Sequence, residues 1–350
     1  MKLTKYKLGD LIRQRRQKSD SDDLPICGVT RDGFIPPKQQ DADTSLYNVF
    51  YLKDFVFNPA RMELNAIVFN DRYEKAICSS LYEVFYVHRP EVILPEYLAL
   101  LVKQNWFTRY CEFMGSGSAR EYCRVANISE LEIEVPPIEF QTEMVRDNQI
   151  IRERIELKRR INDNLEATAQ ALYQELFVDS PDISEWKNGC VGDVLQLQRG
   201  HDLPRTKMLG GEYPVAGSTG TIGYHNQYTA ESPVIVMGRS GNIGNPRLYL
   251  CNCWTHNTSL YVKQIFHADP MWAYYMLKNL NYDGFVGGSA VPTLNRNDIH
   301  AYGIAIPPIE LQETFGKKVL KLIQFRETNL SEIAKLEELQ GTVLATISSR

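Results

Sequence analysis

The strongest constraint in this 350-residue chain is a phrase written twice: residues 135–141 read VPPIEFQ, and residues 306–312, 171 positions later, read IPPIELQ. Upstream the correspondence continues at the same offset without a gap. Ser118-Ala119 matches Ser289-Ala290, Ile128 matches Ile299, and Leu131, Ile133 and Val135 match Tyr302, Ile304 and Ile306. Apolar residues at every second position predict a short, half-buried strand ahead of each phrase. Pro136-Pro137 and Pro307-Pro308 then hold the preceding residue extended and stop the ladder. The second proline of each pair suits the first position of a helix, where a missing N–H costs nothing. Glu139 and Glu310 follow in the first turn, where the helix dipole favours negative charge.

Downstream the period changes to the alternating four and three of a heptad seam. It lands on Met144, Asn148, Ile151, Ile155, Lys158, Asn162, Leu165, Ala169 and Leu172 in the first copy. In the second it lands on Phe315, Val319, Leu322, Arg326, Asn329, Ile333, Leu336, Gln340 and Val343. Both are apolar seams with polar breaks, in segments of about 40 residues that would reach about 60 Å as helices. Neither has another evident apolar partner, so the two are expected to bury each other as an antiparallel coiled coil.

The starts of the halves repeat as well. Leu8-Gly9-Asp10-Leu11-Ile12 resembles Val191-Gly192-Asp193-Val194-Leu195, and Pro25-Ile26-Cys27-Gly28 resembles Pro214-Val215-Ala216-Gly217. Asp179-Ser180-Pro181-Asp182 is a turn-rich stop between them. The expected organisation is a first globular domain over 1–137, a central helix over 138–178, a second domain over 179–308 and a terminal helix over 309–350. That is a mixed α/β (α+β) fold with an internal pseudo-two-fold repeat. Residues 31–115 and 220–286 align poorly and differ in length. A shared frame with unlike middles suggests one scaffold task carried out on two different targets.

Composition narrows the class. With 43% hydrophobic and 23% charged residues the chain is an ordinary globular protein, and no apolar run approaches the roughly 18–20 residues of a membrane span. The charged start MKLTKYKLGD has no apolar signal core. Seven cysteines, an odd number without framework spacing, suggest reduced thiols in a cytoplasmic protein. The net charge of −4 argues against a uniformly basic surface and says nothing against a local basic cleft.

Catalytic patterns are incomplete. GRSGNIGN (238–245) lacks the Lys-Ser/Thr of a nucleotide-cradling loop. Asn58-Pro59-Ala60-Arg61 lacks the second proline and the aromatic of an amino-methyltransferase motif, and Asp182 with Glu185 and Lys187 is too compressed for a nuclease set. On a strand, Cys251 and Cys253 would share a face near His256, yet no second pair stands at metal spacing, so a buried structural role and no metal are expected. His201, His225, His256 and His267 have no Ser or Cys partner in a triad-like setting.

The duplicated plan, with PPIEFQ and PPIELQ opening each helix after a variable domain, resembles the specificity subunit of type I restriction–modification enzymes. KLGDLIRQRRQKSDSDDLPICGVTRDGF with FNPARMELNAI resembles one type of target-recognition domain, and YPVAGSTGTIGYHN with GRSGNIG another. The resemblance implies a non-catalytic subunit whose two domains each read one half of a split target in double-stranded DNA. It further implies that the paired helices set the gap and dock two methyltransferase subunits, with restriction subunits joining that core. S-adenosylmethionine and ATP are then expected only on those partners. The alternative is a coiled-coil scaffold whose domains bind protein or glycan, with which the net charge of −4 and the 19 tyrosines are compatible.

For a DNA reader, phosphate contacts need Lys, Arg and backbone N–H groups, and base reading needs Arg, Asn, Gln, Lys or Ser/Thr on loops. The N-terminal run carries Lys2, Lys5, Lys7, Arg13, Arg15, Arg16 and Lys18 against one acid, Asp10; otherwise it is a solvated helix face. The candidates in the first domain are Arg13, Arg15, Arg16, Arg31, Lys38, Arg61, Asn65, Arg72, Ser116, Ser118, Arg120 and Arg124. Of these, GSGSAREYCR (115–124) can bring backbone close to phosphate. In the second domain they are Arg205, Lys207, Ser218, Thr219, His225, Arg239, Asn242, Asn245, Arg247, Thr293, Asn295 and Arg296. Arg239 leads them, because it follows the apolar Val234–Met237 and stands between Gly238 and Gly241.

Overall fold

Each proline pair ends a strand and starts a long helix in the computed structural model, which describes residues 3–20, 23–37, 44–115, 122–208, 210–282, 286–287 and 293–348. The chain forms two compact units, one of residues 1–157 with 332–350 and one of residues 158–331. The division therefore falls inside both long helices, where the sequence boundaries at 137/138 and 308/309 had separated domains from helices.

In chain order the first unit contains β1 (Thr4–Lys7), β2 (Ile12–Arg15), β3 (Ile26–Thr30), β4 (Gly33–Ile35), β5 (Asn48–Tyr51), β6 (Phe55–Phe57), β7 (Ile67–Phe69), β8 (Lys75–Cys78) and β9 (Glu83–Val87). These are followed by α1 (Pro95–Leu101), α2 (Asn105–Gly115), α3 (Val125–Ser129), β10 (Glu132–Val135) and the start of α4 (Ile138–Tyr173). One sheet runs β2-β9-β6-β7 and a second β4-β3-β8-β5. Phe55-Val56-Phe57 is buried on both faces, as a central strand covered on both sides must be. Phe55 and Phe57 join Phe85, Tyr97, Leu98 and Phe107 in a core under the helices. Val56 points the other way, to Cys27, Val29, Phe50 and Cys78 of the second sheet.

The second unit contains β11 (Lys187–Cys190), α5 (Val191–Val194), β12 (Leu195–Arg199), β13 (Tyr213–Gly217), β14 (Gly220–His225), β15 (Val234–Gly238), β16 (Gly244–Tyr249), β17 (Trp254–Thr255) and β18 (Ser259–Ile265). It continues with α6 (Pro270–Lys278), β19 (Val286–Gly287), β20 (Thr293–Leu294), α7 (Arg296–His300), β21 (Gly303–Ile306) and α8 (Ile309–Ser348). Its sheets run β12-β18-β15-β16 and β14-β13-β17. The strand order repeats that of the first unit, down to one parallel pair in the second sheet, β3 with β8 and β13 with β17, except that this sheet has three strands and no counterpart of β5. The repeat thus extends in topology through the middles that do not align in sequence.

The duplicated phrase has a structural reason in each unit. The strand before the prolines pairs with the strand that opens the half: β10 with β1, Val135 opposite Thr4, and β21 with β11, Ile306 opposite Lys187. The closing glutamine is a buried clamp. Gln141 accepts from Leu94 N at 2.9 Å and donates to Pro136 O at 2.8 Å and Val92 O at 2.9 Å. Gln312 accepts from Asp269 N at 3.0 Å and donates to Pro307 O at 2.8 Å. Each side chain ties the helix start to the N-terminus of a packed helix, α1 or α6. Pro137 and Pro308 sit one position earlier than expected. Their carbonyls accept the first helical bonds from Gln141 N and Gln312 N, so they cap the helices and the isoleucines that follow are the first helical residues.

The seam positions are all buried or half-buried. In the first unit Ile151, Ile155 and Ile333 form a cluster with Leu336 and Val343, and Gln340 donates to Asn148 at 2.9 Å. In the second, Leu172 and Ala169 pack in a core with Phe315, Val319 and Leu322, and Asn329 donates to Asn162 at 2.9 Å. Higher numbers on α4 meet lower numbers on α8 in both units, so the helices pair antiparallel. Met144 joins the first unit's core, Leu165 is half-buried, and a π turn over Gln174–Val178 carries Phe177 into the second unit's core.

Candidate nucleic-acid interface

In the first unit the N-terminal basic run is an edge strand, β2, rather than a helix face. Arg15, on the face opposite Ile12, takes a structural role. Its guanidinium bonds Asp54 at 2.6 and 3.0 Å and lies 4.7 Å from the ring centroids of both Tyr51 and Tyr86. Asp54, 2% exposed at its side chain, is neutralised there. Arg16, Lys18 and Arg124 line a concavity of about 390 Å³ with Gln14, Asn48 and Tyr82. Glu83 accepts from Val125 N at 2.7 Å and from Arg124 at 3.1 Å, fixing the start of α3 beside this groove. Arg13 turns back on the carbonyls of Gly9 and Ile12.

Asn65 corrects the sequence reading. It is 5% exposed and donates to Val102 O at 2.9 Å and Thr108 Oγ1 at 2.8 Å, so it joins a turn to the helical layer and offers nothing to a ligand. Arg61 is exposed on the 3-10 turn Pro59–Leu64, which Asn58 caps by accepting from Ala60 N at 3.0 Å. Arg31 and Arg72 border a different cleft, of about 680 Å³, whose walls mix Asp32, Asp71 and Glu153 with Lys103 and Arg152. Lys38, Ser116, Ser118 and Arg120 lie outside the described residues.

The second unit brings more of its candidates together. Thr258, in the turn between β17 and β18, is the hub. Its carbonyl accepts from Arg239 N at 3.0 Å and Ser240 N at 3.3 Å, and its hydroxyl accepts from Ser218 N at 3.4 Å. Leu294 N donates to Arg239 O at 2.8 Å, and Ser240 bridges Thr293. The loops after β13 and β15 and the strand β20 therefore converge at one place. Gly238 permits the β15–β16 loop to fold back, since a Cβ there would stand 1.5 Å from Asn242 O. Among the described residues the guanidiniums of Arg239 and Arg247 have no hydrogen-bonding or ionic partner. Asn242, Asn245 and Arg247 line a cleft of about 1030 Å³ with Thr221, Tyr249, Lys278 and Arg326. Tyr249 is 3.4 Å from Thr221, and burial holds its phenol above the ordinary value.

Thr219 is exposed at the β13–β14 turn beside this assembly. Arg205 and Lys207 are exposed on a separate 3-10 turn, and His225 is occupied by Gln227 and stacks edge-on to Trp254 at 4.9 Å. Asn295 caps α7 by accepting from Asn297 N at 3.0 Å, which leaves Arg296 exposed at the helix start. Thr258 escaped the sequence reading because a lone threonine in a polar turn has no local mark of being a hub. Cys253 is buried and Cys251 exposed, on a bend rather than a strand, so the two sulfurs do not share a face. Among the described residues no group of three His, Cys, Asp or Glu could hold a metal. No helix among them is long and apolar enough to cross a membrane.

The family pattern described as type I restriction modification DNA specificity domain matches residues 5–167 and again 183–339. The type I restriction enzyme HindI specificity subunit of Haemophilus influenzae is 27% identical over 125 residues, which cover 35% of this chain and 27% of that protein's length. The crystal structure of a type I restriction-modification system S subunit from M. genitalium has the same fold. Its TM-score is 0.68 at 16% identity, covering 99% of this chain and 96% of that one.

Proposed function

Because the chain belongs to the type I restriction modification DNA specificity domain family, we propose that it is a DNA target-recognition subunit whose two units each read one half of a bipartite duplex sequence. One observation carries this reading to particular side chains. In the second unit, a loop locked on Thr258 presents Arg239 and the strand β16 presents Arg247, and neither guanidinium has a hydrogen-bonding or ionic partner among the described residues. An uncompensated guanidinium held by rigid backbone is suited to a phosphate or to the O6/N7 edge of guanine. The groove of Arg16, Lys18 and Arg124 supplies the counterpart in the first unit.

The helix pair sets the spacing between the two half-sites in this reading. α4, with 36 residues, and α8, with 40, are about 54 and 60 Å long at 1.5 Å per residue, more than one turn of duplex. Two methyltransferase subunits and the restriction subunits dock on this frame in the cytoplasm. They bring S-adenosylmethionine and ATP, while this chain contributes recognition and no catalytic group.

The test is the salt dependence of duplex binding by the chain assembled with its methyltransferase. Six or more phosphate contacts predict a loss of about a thousandfold or more between 50 and 200 mM salt. Affinity that does not change over that range would sink the proposal.

A further inference from the structure

We infer that Asn245 and Arg247 form a two-residue reader for an adenine and a guanine at two positions of the half-site of the second unit. This rests on the DNA-recognition reading above and deepens it. β16 carries a bulge, for Val236 pairs with Arg247 but Gly238 with Gly244; along it Gly244 and Pro246 are buried while Asn245 and Arg247 are exposed, and a bulge re-aims side chains. β16 is the edge of its sheet and forms an antiparallel ribbon with β15, the kind of element that a major groove admits.

The polarity of the Asn245 amide is set by chemistry. Asn242 Nδ2 donates to the backbone carbonyl of Ser218 at 3.2 Å, and a carbonyl can only accept. The Asn242 oxygen must therefore face the other way, where Asn245 Nδ2 donates to it at 2.8 Å. Asn245 keeps one N–H and its oxygen for a ligand. That donor–acceptor pair complements N7 and N6 of adenine. Asn245 sits at φ 49° after Gly244 at φ 70°, a left-handed turn that asparagine tolerates and that lifts the amide from the sheet edge. Arg247 lies along the turn at Gly220, where a Cβ would stand 3.1 Å from Nη1. Its fork of donors is complementary to O6 and N7 of guanine.

The experiment is selection from duplexes with randomised half-sites by the chain assembled with its methyltransferase, followed by sequencing. Asn245→Asp preserves shape and the left-handed turn but removes the donor. It should reduce preference for adenine at one position by about tenfold or more. Arg247→Lys keeps the charge and loses the fork. It should reduce preference for guanine at a second, different position while the salt dependence stays that of the wild type. Asn242→Asp cannot donate to Ser218 and should weaken the same adenine position and no other. Retained selection of the other half-site reports that each variant is folded and assembled, and the exposed Arg247→Lys carries the test if the asparagine variants do not assemble. Unchanged preferences, or both variants affecting the same single position, overturn the inference alone. A wild-type complex that selects no sequence overturns the DNA-recognition reading and this inference with it.

Discussion

Lys158 donates to Asn329 at 3.0 Å, and the two residues, 171 positions apart, are each other's counterparts in the repeat. A residue bonded to its own counterpart marks the centre of an antiparallel, symmetric helix pairing. Asn329 is 1% exposed and also donates to Asn162, so the centre of the seam is polar and hydrogen-bonded, while Asn162 Nδ2 is buried without a partner among the described residues. Buried polar pairs of this kind fix register at some cost in stability.

Asn329→Ala should destabilise the protein by about 1–3 kcal/mol in urea unfolding, because it leaves the Asn162 oxygen and the Lys158 ammonium without this partner. Replacing Asn162 and Asn329 together by Leu should cost less than Asn329→Ala, since no buried amide is then left behind and only the half-buried Lys158 loses this partner.

Gln141 and Gln312 are 0% and 1% exposed, and each amide holds a helix N-terminus against the repeated phrase. Gln312→Ala strands Asp269 N and Pro307 O in the interior and should cost about 1–3 kcal/mol. Thermal unfolding of the two single variants checks it: comparable losses for Gln141→Ala and Gln312→Ala are expected from equivalent clamps.

Arg15 and Arg239 should separate stability from binding. Arg15→Ala leaves Asp54, 2% exposed at its side chain, unpaired, and should cost about 3 kcal/mol. Arg239→Ala breaks no side-chain hydrogen bond or ion pair among the described residues. It should leave unfolding within about 0.5 kcal/mol of wild type while relaxing selection in one half-site. Chemical denaturation and duplex selection on both variants read the two effects.

His300 gives the second unit a pH dependence. Its Nε2 accepts from Leu197 N at 2.8 Å, and burial, with Arg296 nearby, lowers its pKa from the ordinary 6.5. The unfolded chain therefore binds the proton first as pH falls. The stability from neutral His300 should be complete above pH 6.5 and decline as the pH falls from there through the lower native value. His300→Gln keeps an acceptor without titrating, so the drop in melting temperature from pH 7.5 to 5.5 should be smaller in that variant.

Sequence alone determined whatever depends on near neighbours. The seams from Met144 to Leu172 and Phe315 to Val343, the strands ahead of Pro136 and Pro307, and the repeat itself are all patterns of local period and backbone restriction. They persist because a helix or strand must bury one face whatever it packs against. What a polar side chain does depended on the tertiary structure. Asn65 and Asn245 both take left-handed turns, at φ 52° and 49°, yet one is sealed under Val102 and Thr108 while the other stands exposed on an edge strand. Arg15 and Arg239 are both arginines on strands or strand ends, and only one meets a carboxylate, 39 residues away in the chain. The unlike middles adopt one topology because a sheet core demands alternation and volume rather than particular residues. Availability to a ligand is set by partners distant in sequence, and only folding brings those partners into reach.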